Sequence, residues 1–155
     1  IDLKLKAESG FGTVDLQKVW TAADVSRIAG AWFARPHALM AGFNLGFDYL
    51  FMPLYGFAFY YGTIAARQRF TPRVGTAHRL MTVIAAVPLA GALFDCVENT
   101  LETIMIVGQP TDQLASIAYA ATTAKMACFY IGALMSIVGL LGLAVRRRKQ
   151  ADAEV

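Results

Sequence analysis

An acidic cluster lies inside one of the long apolar stretches of the sequence. Asp95, Glu98, Asn99 and Glu102 all fall within the segment from Leu80 to Val107. A helix turns about 100° per residue, so these four side chains share roughly one third of its circumference. Charges at bilayer depth are costly, and they commonly mark sites for protons, cations or polar ligands. The spacing therefore predicts a polar stripe on a membrane-spanning helix.

Two further charged residues are predicted to lie at the same depth. Asp48 and Lys125, like Asp95 and Glu98, lie about 14–18 Å from the outer ends of their apolar spans at 1.5 Å per residue. A salt bridge from Lys125 to Asp95 or Asp48 would relieve the cost of burial, but one lysine cannot neutralise three carboxylates. Either some acids are protonated, or a cation or a basic partner completes the cluster. The predicted intramembrane polar cluster is Asn44, Asp48, Asp95, Glu98, Asn99, Glu102 and Lys125.

The composition is that of an integral membrane protein. Of the 155 residues, 57% are hydrophobic and only 16% are charged, whereas soluble domains contain about 25% charged residues. The length is too short for two membrane domains. Most basic residues lie in two clusters beside apolar spans, so the net charge of +3 does not indicate a nucleic-acid partner.

Three apolar spans are predicted, at about residues 38–64, 80–107 and 114–145. The third would be about 48 Å long as a helix, longer than the hydrocarbon core of about 30 Å, so we expect it to tilt or project. The predicted fold is an all-α transmembrane helical bundle over residues 37–149. It is preceded by an extracytoplasmic segment, 1–36, and followed by a cytoplasmic tail, 150–155.

Two basic clusters predict the orientation. By the positive-inside rule, both the 65–79 loop and the C-terminus are cytoplasmic, which fits a bacterial inner membrane. Residues 1–36 must then cross the membrane, so we expect an upstream signal peptide or, more readily, a fourth helix before Ile1. The basic residues are Arg67, Arg69, Arg73 and Arg79 in the loop, and Arg146, Arg147, Arg148 and Lys149 at the end of the third span.

The N-terminal segment contains two predicted elements. Apolar residues alternate with polar ones from Ile1 to Lys6, which favours a short strand. A helix is predicted from Thr21, an N-cap with Asp24 three residues later, to Arg35-Pro36. Its apolar face lies either on the outer membrane surface, with Trp32 at headgroup level, or against the protein itself. The face consists of Val25, Ile28, Ala29 and Trp32.

Small residues mark predicted helix contacts. Gly42 and Gly46 match the small-xxx-small packing motif in the first span, where Pro53 can kink the helix just below Asp48. On that span Asn44, Asp48 and Tyr55 share a stripe. In the third span, Lys125 shares a face with small side chains, which indicates that it points into the bundle. These are Ala118, Ala121, Cys128, Gly132, Ser136 and Gly139.

No motif specifies a catalytic, metal or cofactor site. His37 and His78 are predicted at opposite membrane faces, so they cannot together ligate one haem. His37 with Glu102 could form an outer metal site, but no third nitrogen ligand is near. Cys96 and Cys128 lie in apolar spans, where thiols usually pack as small hydrophobes.

The sequence also resembles a family of small uncharacterised polytopic membrane proteins of bacteria. The similarity rests on Trp32, the run from Phe47 to Gly56, the run from Phe94 to Asn99, and Lys125, and it covers roughly residues 14–145. These runs place an Asp in one span and Asp-x-x-Glu-Asn in the next. The resemblance implies the helical architecture and a further N-terminal helix, and it implies no particular reaction.

Two classes of function follow. The first is a non-enzymatic membrane protein that acts through helix packing, as an accessory subunit of a larger assembly or by self-association. The second is proton- or cation-coupled transport, or ligand binding, through the polar cluster. An enzyme ranks third, because intramembrane acids alone do not define a reaction.

Overall fold

The computed structural model describes residues 1–33, 37–70 and 74–151, with side chains described as far as Gly142. Within these residues the chain forms six helices and no strand, so the predicted all-α class is confirmed. The helices are α1 (Asp2–Ser9), α2 (Thr13–Leu16), α3 (Ala22–Trp32), α4 (His37–Phe70), α5 (Thr76–Val107) and α6 (Asp112–Ala151).

Some predictions fall outside the described residues. They are the end of the N-terminal helix at Arg35-Pro36, Arg73 of the basic loop, and most of the tail after Lys149. The side chains of the basic run from Arg146 to Lys149 are likewise outside the described part, although α6 includes their backbone.

The three long helices correspond to the three predicted spans. Within the described residues, two of them are long and apolar enough to cross a membrane, in α5 over Thr76–Val107 and in α6 over Asp112–Gly142. α4 has 34 residues, but Asn44, Asp48 and its tyrosines make it less apolar. By length and composition, two membrane-crossing helices are therefore supported.

The chain divides into two compact units. Unit 1 contains Ile1–Met52 and Leu93–Ala124, and unit 2 contains Pro53–Ala92 and Lys125–Val155. α1, α2 and α3 all belong to unit 1, together with the first part of α4, the last part of α5 and the first part of α6.

The N-terminal residues form helix α1, so the strand that their alternation predicts is wrong. Leu5 is fully buried, whereas Ile1 and Leu3 are exposed, so no alternating apolar face is buried. A strand needs a neighbouring strand to satisfy its backbone groups, and a helix satisfies them internally. α1 ends at Gly10, whose positive φ of 86° is a conformation that glycine adopts at little cost.

Helix α3 begins where the sequence predicts. Thr21 is its N-cap, and the Thr21 hydroxyl accepts a hydrogen bond of 3.2 Å from the backbone N–H of Asp24. The whole predicted apolar face is buried, with Val25 and Ile28 each 1% exposed. It packs against the protein itself, the second of the two predicted environments.

Trp32 lies in the core of unit 1 and not on an exposed face of α3, and its position at headgroup level stays a prediction. Its side chain is 2% exposed, and its indole Nε1–H donates a 2.9 Å hydrogen bond to the carbonyl oxygen of Phe11. A Trp can be fully buried when its N–H finds such a partner. The core around it is Leu5, Leu16, Val25, Ile28, Ala41, Met105, Ala115 and Ala118.

Unit 2 is packed through the small residues of α6. A β-carbon added to Gly132 would lie 2.6 Å from Pro88 Cγ, and one added to Gly139 would lie 2.6 Å from the carbonyl oxygen of Gly62. Only glycine allows these helices to approach so closely. The predicted small face of α6 is thus a packing face, and its other members, Ala118, Ala121, Cys128 and Ser136, are buried or half-buried.

Candidate functional site

The acidic stripe of α5 is buried within unit 1. Asp95 is 6% exposed, Glu98 and Asn99 are 0% exposed, and Glu102 is 1% exposed. Neighbouring positions on other faces of α5 carry exposed apolar side chains, among them Leu93 at 70% exposure. The helix therefore turns its carboxylates inward and its aliphatic side chains outward.

Asn99 connects two members of this stripe. Its side-chain Nδ2 donates a 3.0 Å hydrogen bond to Asp95 Oδ1, one helical turn away. Asn99 Oδ1 accepts no hydrogen bond within the described residues. Asp95, Glu98 and Glu102 each take part in at least one interaction besides this hydrogen bond. The stripe is a buried polar interior in which an amide stabilises the Asp95 carboxylate.

Asn44, which the sequence places in the polar cluster, contacts the N-terminal segment. Its Nδ2 donates a 2.6 Å hydrogen bond to Thr13 Oγ1 and a longer one, 3.4 Å, to Asp2 Oδ1. Asn44 therefore fixes the N-terminal segment to α4. The nitrogen of its side-chain amide donates both of these hydrogen bonds to the N-terminal segment.

Asp2 and Thr13 form a polar contact that sequence reasoning missed. The Asp2 carboxylate accepts hydrogen bonds from the backbone N–H of Thr13, at 2.6 Å, and from the Thr13 hydroxyl, at 2.8 Å. A β-carbon on Gly12 would lie 2.8 Å from the Asp2 carboxylate oxygens, so a larger residue there would displace the carboxylate from Thr13. The only sequence signal is the isolated Gly12-Thr13 pair. Its partner Asp2 is eleven residues away, so local sequence patterns do not reveal the contact.

Asp15 has a second, more local network in the same segment. Its carboxylate lies 2.9 Å from Lys6 Nζ and accepts a 2.8 Å hydrogen bond from the backbone N–H of Gly12. The hydrogen bond from Lys6, and then that from Gly12, hold the pKa of Asp15 below its usual range. These contacts stabilise the ionised carboxylate and fix the turn between α1 and α2.

Asp48 and Lys125 are the remaining predicted members of the cluster. Asp48 lies on α4 in unit 1, is half-buried and takes part in a polar interaction. Lys125 lies on α6 in unit 2, is 9% exposed and also takes part in a polar interaction. A buried lysine that takes part in a polar interaction is what the predicted pairing with a carboxylate leads us to expect. Which carboxylate Lys125 pairs with, Asp95 or Asp48, stays a prediction.

The histidines give no support for a metal centre. His37 Nε2 lies 3.8 Å from a carboxylate oxygen of Glu8, and this contact is an ion pair only when His37 is protonated. Among the described residues, no group of three or more His, Cys, Asp or Glu side chains converges to hold a metal ion. Cys96 and Cys128 are both free thiols.

A pocket of about 400 Å³ lies within unit 1, between α3, the first part of α4 and the end of α5. Its walls include Trp32, Gly42, Gly46 and Val107, and its lining is almost entirely apolar. The Gly42-x-x-x-Gly46 motif predicts a close helix contact, but a β-carbon added to either glycine meets nothing within 4 Å in the described part of the chain. The predicted packing motif therefore borders an open space.

Comparisons of the chain with protein-family models, with characterised proteins and with solved structures find no match. The resemblance to bacterial polytopic membrane proteins stays a prediction.

Proposed function

We propose that the chain is a non-enzymatic integral membrane protein that acts through helix packing, as a small accessory subunit of a larger membrane assembly. The observation that supports this most directly is the pattern of burial in its long helices, in which few residues are buried and carboxylates are among them. In the most apolar 18-residue windows of α5 and α6, only 22% of the residues are buried, and over its whole length α5 buries three carboxylates. The core helix of a soluble protein is mostly buried and buries its apolar side chains instead.

The exposed surface fits a lipid environment. Large apolar side chains are exposed along all three long helices, for example Phe57 at 53%, Leu93 at 70% and Leu134 at 57%. Monomeric soluble proteins rarely expose contiguous apolar patches of more than a few hundred Å². In a bilayer the same side chains are the favourable surface, and α4 would be the third transmembrane helix.

The proposed orientation places the 65–79 loop and the C-terminus in the cytoplasm of a bacterial cell. Arg67 and Arg69 lie in the last turn of α4, and Arg79 lies at the beginning of α5. Basic residues flanking two helix ends favour retention of that side in the cytoplasm.

An aromatic surface on α4 supports the role in assembly. Phe43 and Phe47 are 59% and 50% exposed, and their rings stack at a centroid distance of 6.2 Å with an interplanar angle of 13°. Exposed aromatic side chains are enriched at protein interfaces.

Photo-crosslinking in native membranes tests the assembly role. A photoreactive phenylalanine analogue at Phe47 should crosslink to another membrane protein chain. The same analogue at Phe59, whose ring packs 5.0 Å from that of Phe129 inside unit 2, serves as the matched control. A complex larger than the monomer on native gels, with a crosslink from Phe47 and none from Phe59, supports the proposal. A monomer without crosslinks contradicts it.

The second candidate is proton- or cation-coupled transport through the buried stripe. It is favoured by three carboxylates at 0–6% exposure on one face of α5, because acids at membrane depth are costly to keep without a function. Glu98→Gln preserves shape and hydrogen bonding. Proteoliposomes of the parent should then show proton or cation flux that Glu98→Gln abolishes without lowering the melting temperature. Equal flux for the two proteins would contradict this candidate.

A further inference from the structure

The pocket in unit 1 has the dimensions of a hydrocarbon chain. Its lining extends along α4 from Ala38 to Tyr49, a length of about 16 Å at 1.5 Å per residue. Over that length, a volume of about 400 Å³ for the centres of water-sized spheres gives a mean cross-section of about 25 Å², and adding the sphere radius of about 1.4 Å on each side gives a pocket roughly 8 Å wide. A helix with its side chains is about 10–12 Å across. A single extended chain therefore fits the pocket better than a partner helix.

The polar groups in the lining are already engaged. The Thr103 hydroxyl donates a 2.8 Å hydrogen bond to the carbonyl oxygen of Asn99, and the Tyr49 hydroxyl lies 2.9 Å from Thr100 Oγ1. Thr100 donates its own proton to the carbonyl oxygen of Cys96, so the hydroxyl protons of both Tyr49 and Thr103 are used. An acceptor on a ligand would find no donor on these two side chains, at a cost of about 1–3 kcal/mol. Together with the almost entirely apolar lining, this favours an apolar group inside the pocket.

The pocket begins at the helix ends and is one leaflet deep. Ala38 follows the first residue of α4, and Val107 is the last residue of α5. In the proposed topology these ends lie at one membrane surface. The length of about 16 Å is half of a hydrocarbon core of about 30 Å. Phe33 and Val107, 64% and 82% exposed, border the pocket with apolar surface that lipid would cover.

We propose that this pocket binds one acyl chain of a phospholipid from the adjoining leaflet. The proposal rests on the membrane location proposed above. Gly42 and Gly46 form part of the pocket wall and leave room for the chain, since a β-carbon built on either meets no other part of the described chain within 4 Å. A leucine at Gly46 would fill this room and displace the chain.

Fluorescence quenching by brominated lipid tests the proposal, because Trp32 lies in the pocket wall. Trp20 is replaced by Phe, which leaves Trp32 as the one tryptophan of the chain. In vesicles of phosphatidylcholine with brominated acyl chains, Trp32 should be quenched relative to unbrominated vesicles. Gly46→Leu should reduce that quenching by at least about twofold.

Gly30→Leu is the matched control. Gly30 lies on α3, is exposed, and a β-carbon built on it likewise meets nothing within 4 Å in the described residues, but it is outside the pocket lining. It should leave the quenching unchanged. Equal quenching of Gly46→Leu and Gly30→Leu, or no quenching of the parent, would overturn the proposal.

Two further measurements keep the result decisive. Resistance of the vesicle-bound protein to alkaline carbonate tests membrane insertion separately, so a protein that inserts but shows no Gly46-dependent quenching contradicts only the acyl-chain site. Native mass spectrometry of the parent in mild detergent needs no variant. Retention of one phospholipid per chain supports the site, and complete loss of lipid from the folded protein contradicts it.

Discussion

At the scale of single residues, the buried stripe of α5 depends on hydrogen bonds that replace water. Asn99 and Asp95 are both nearly inaccessible, and the 3.0 Å hydrogen bond between them satisfies one oxygen of a buried carboxylate. A buried acceptor that loses its donor keeps its full desolvation cost. The amide of Asn99 is therefore important for the stability of unit 1.

We expect Asn99→Leu to lower the free energy of unfolding by about 1–3 kcal/mol, because it removes the donor to Asp95 and leaves side-chain volume nearly unchanged. Thermal melts in detergent measure the effect. Cys96→Ala is the control, since Cys96 is exposed and surface changes usually cost less than about 0.5 kcal/mol. Equal melting temperatures for the two variants would show that the Asn99 hydrogen bond contributes nothing.

Asp15 gives a prediction for pH. Its pKa is lowered by Lys6 and the Gly12 N–H from an ordinary value of 3.8, so the folded state binds the carboxylate proton less readily than the unfolded state does. The contribution is therefore complete well above pH 3.8 and is lost as the pH falls through the lower folded pKa.

We expect Asp15→Asn to cost about 0.2–1 kcal/mol at pH 7, as is usual for a partly exposed ion pair. The difference from the parent should shrink as the pH falls below 3.8. Melting curves of both proteins between pH 7 and pH 3 measure it. Lys4→Met, which removes an exposed pair at 3.8 Å, should change little at either pH. A constant difference between Asp15→Asn and the parent across this range would disprove the assignment.

At the scale of the helices, glycines that are both predicted to mark helix contacts have different environments. Gly139 on α6 packs against the backbone of Gly62 and Ala66, whereas a β-carbon built on Gly46 of α4 meets nothing within 4 Å among the described residues. The sequence shows that both residues are small and lie on helices, but only the structure shows which one is in close contact with another helix.

We expect Gly139→Ala to destabilise the protein by about 1–3 kcal/mol, because its β-carbon would meet backbone atoms that cannot move aside independently. Gly46→Ala should be neutral or stabilising by up to about 1 kcal/mol, since alanine is the better helix former. Melting temperatures of the two variants in one detergent provide the comparison. A Gly139→Ala variant as stable as the parent would argue against close packing in unit 2.

The elements that the sequence predicts are those with strong local signals. The helix from Thr21 has an N-cap and a continuous apolar face. The three long helices have apolar stretches that are longer than the strands of soluble proteins. Alternation over six residues at the N-terminus was too short to separate strand from helix. The burial of Trp32 and the contact between Asp2 and Thr13 depend on tertiary neighbours, which local patterns do not contain.

The candidate site is predictable to a similar extent. Helical periodicity alone places Asp95, Glu98, Asn99 and Glu102 on one face, and the structure buries them together. Asn44 shares a predicted stripe with Asp48, but a shared stripe does not determine which segment a side chain contacts. The pocket beside Gly42 could not be predicted, because its lining comes from three helices that are separated in the sequence, α3, α4 and α5.

At the scale of the whole molecule, the two basic clusters determine the proposed orientation. In a variant without Cys96 and Cys128, a cysteine at Gly108 should react with a membrane-impermeant reagent in intact cells. A cysteine at Arg148 should react only after the cells are opened. The reverse pattern would invert the proposed topology.

The most direct test of the membrane location is the environment of the exposed apolar side chains. Spin labels at Leu93 and Leu134, 70% and 57% exposed, should collide often with oxygen and rarely with a water-soluble nickel complex in reconstituted vesicles. A label at Val14 on α2, 48% exposed, should be far more accessible to nickel. If the labels at Leu93 and Leu134 were as accessible to nickel as the label at Val14, the protein would not be membrane-embedded.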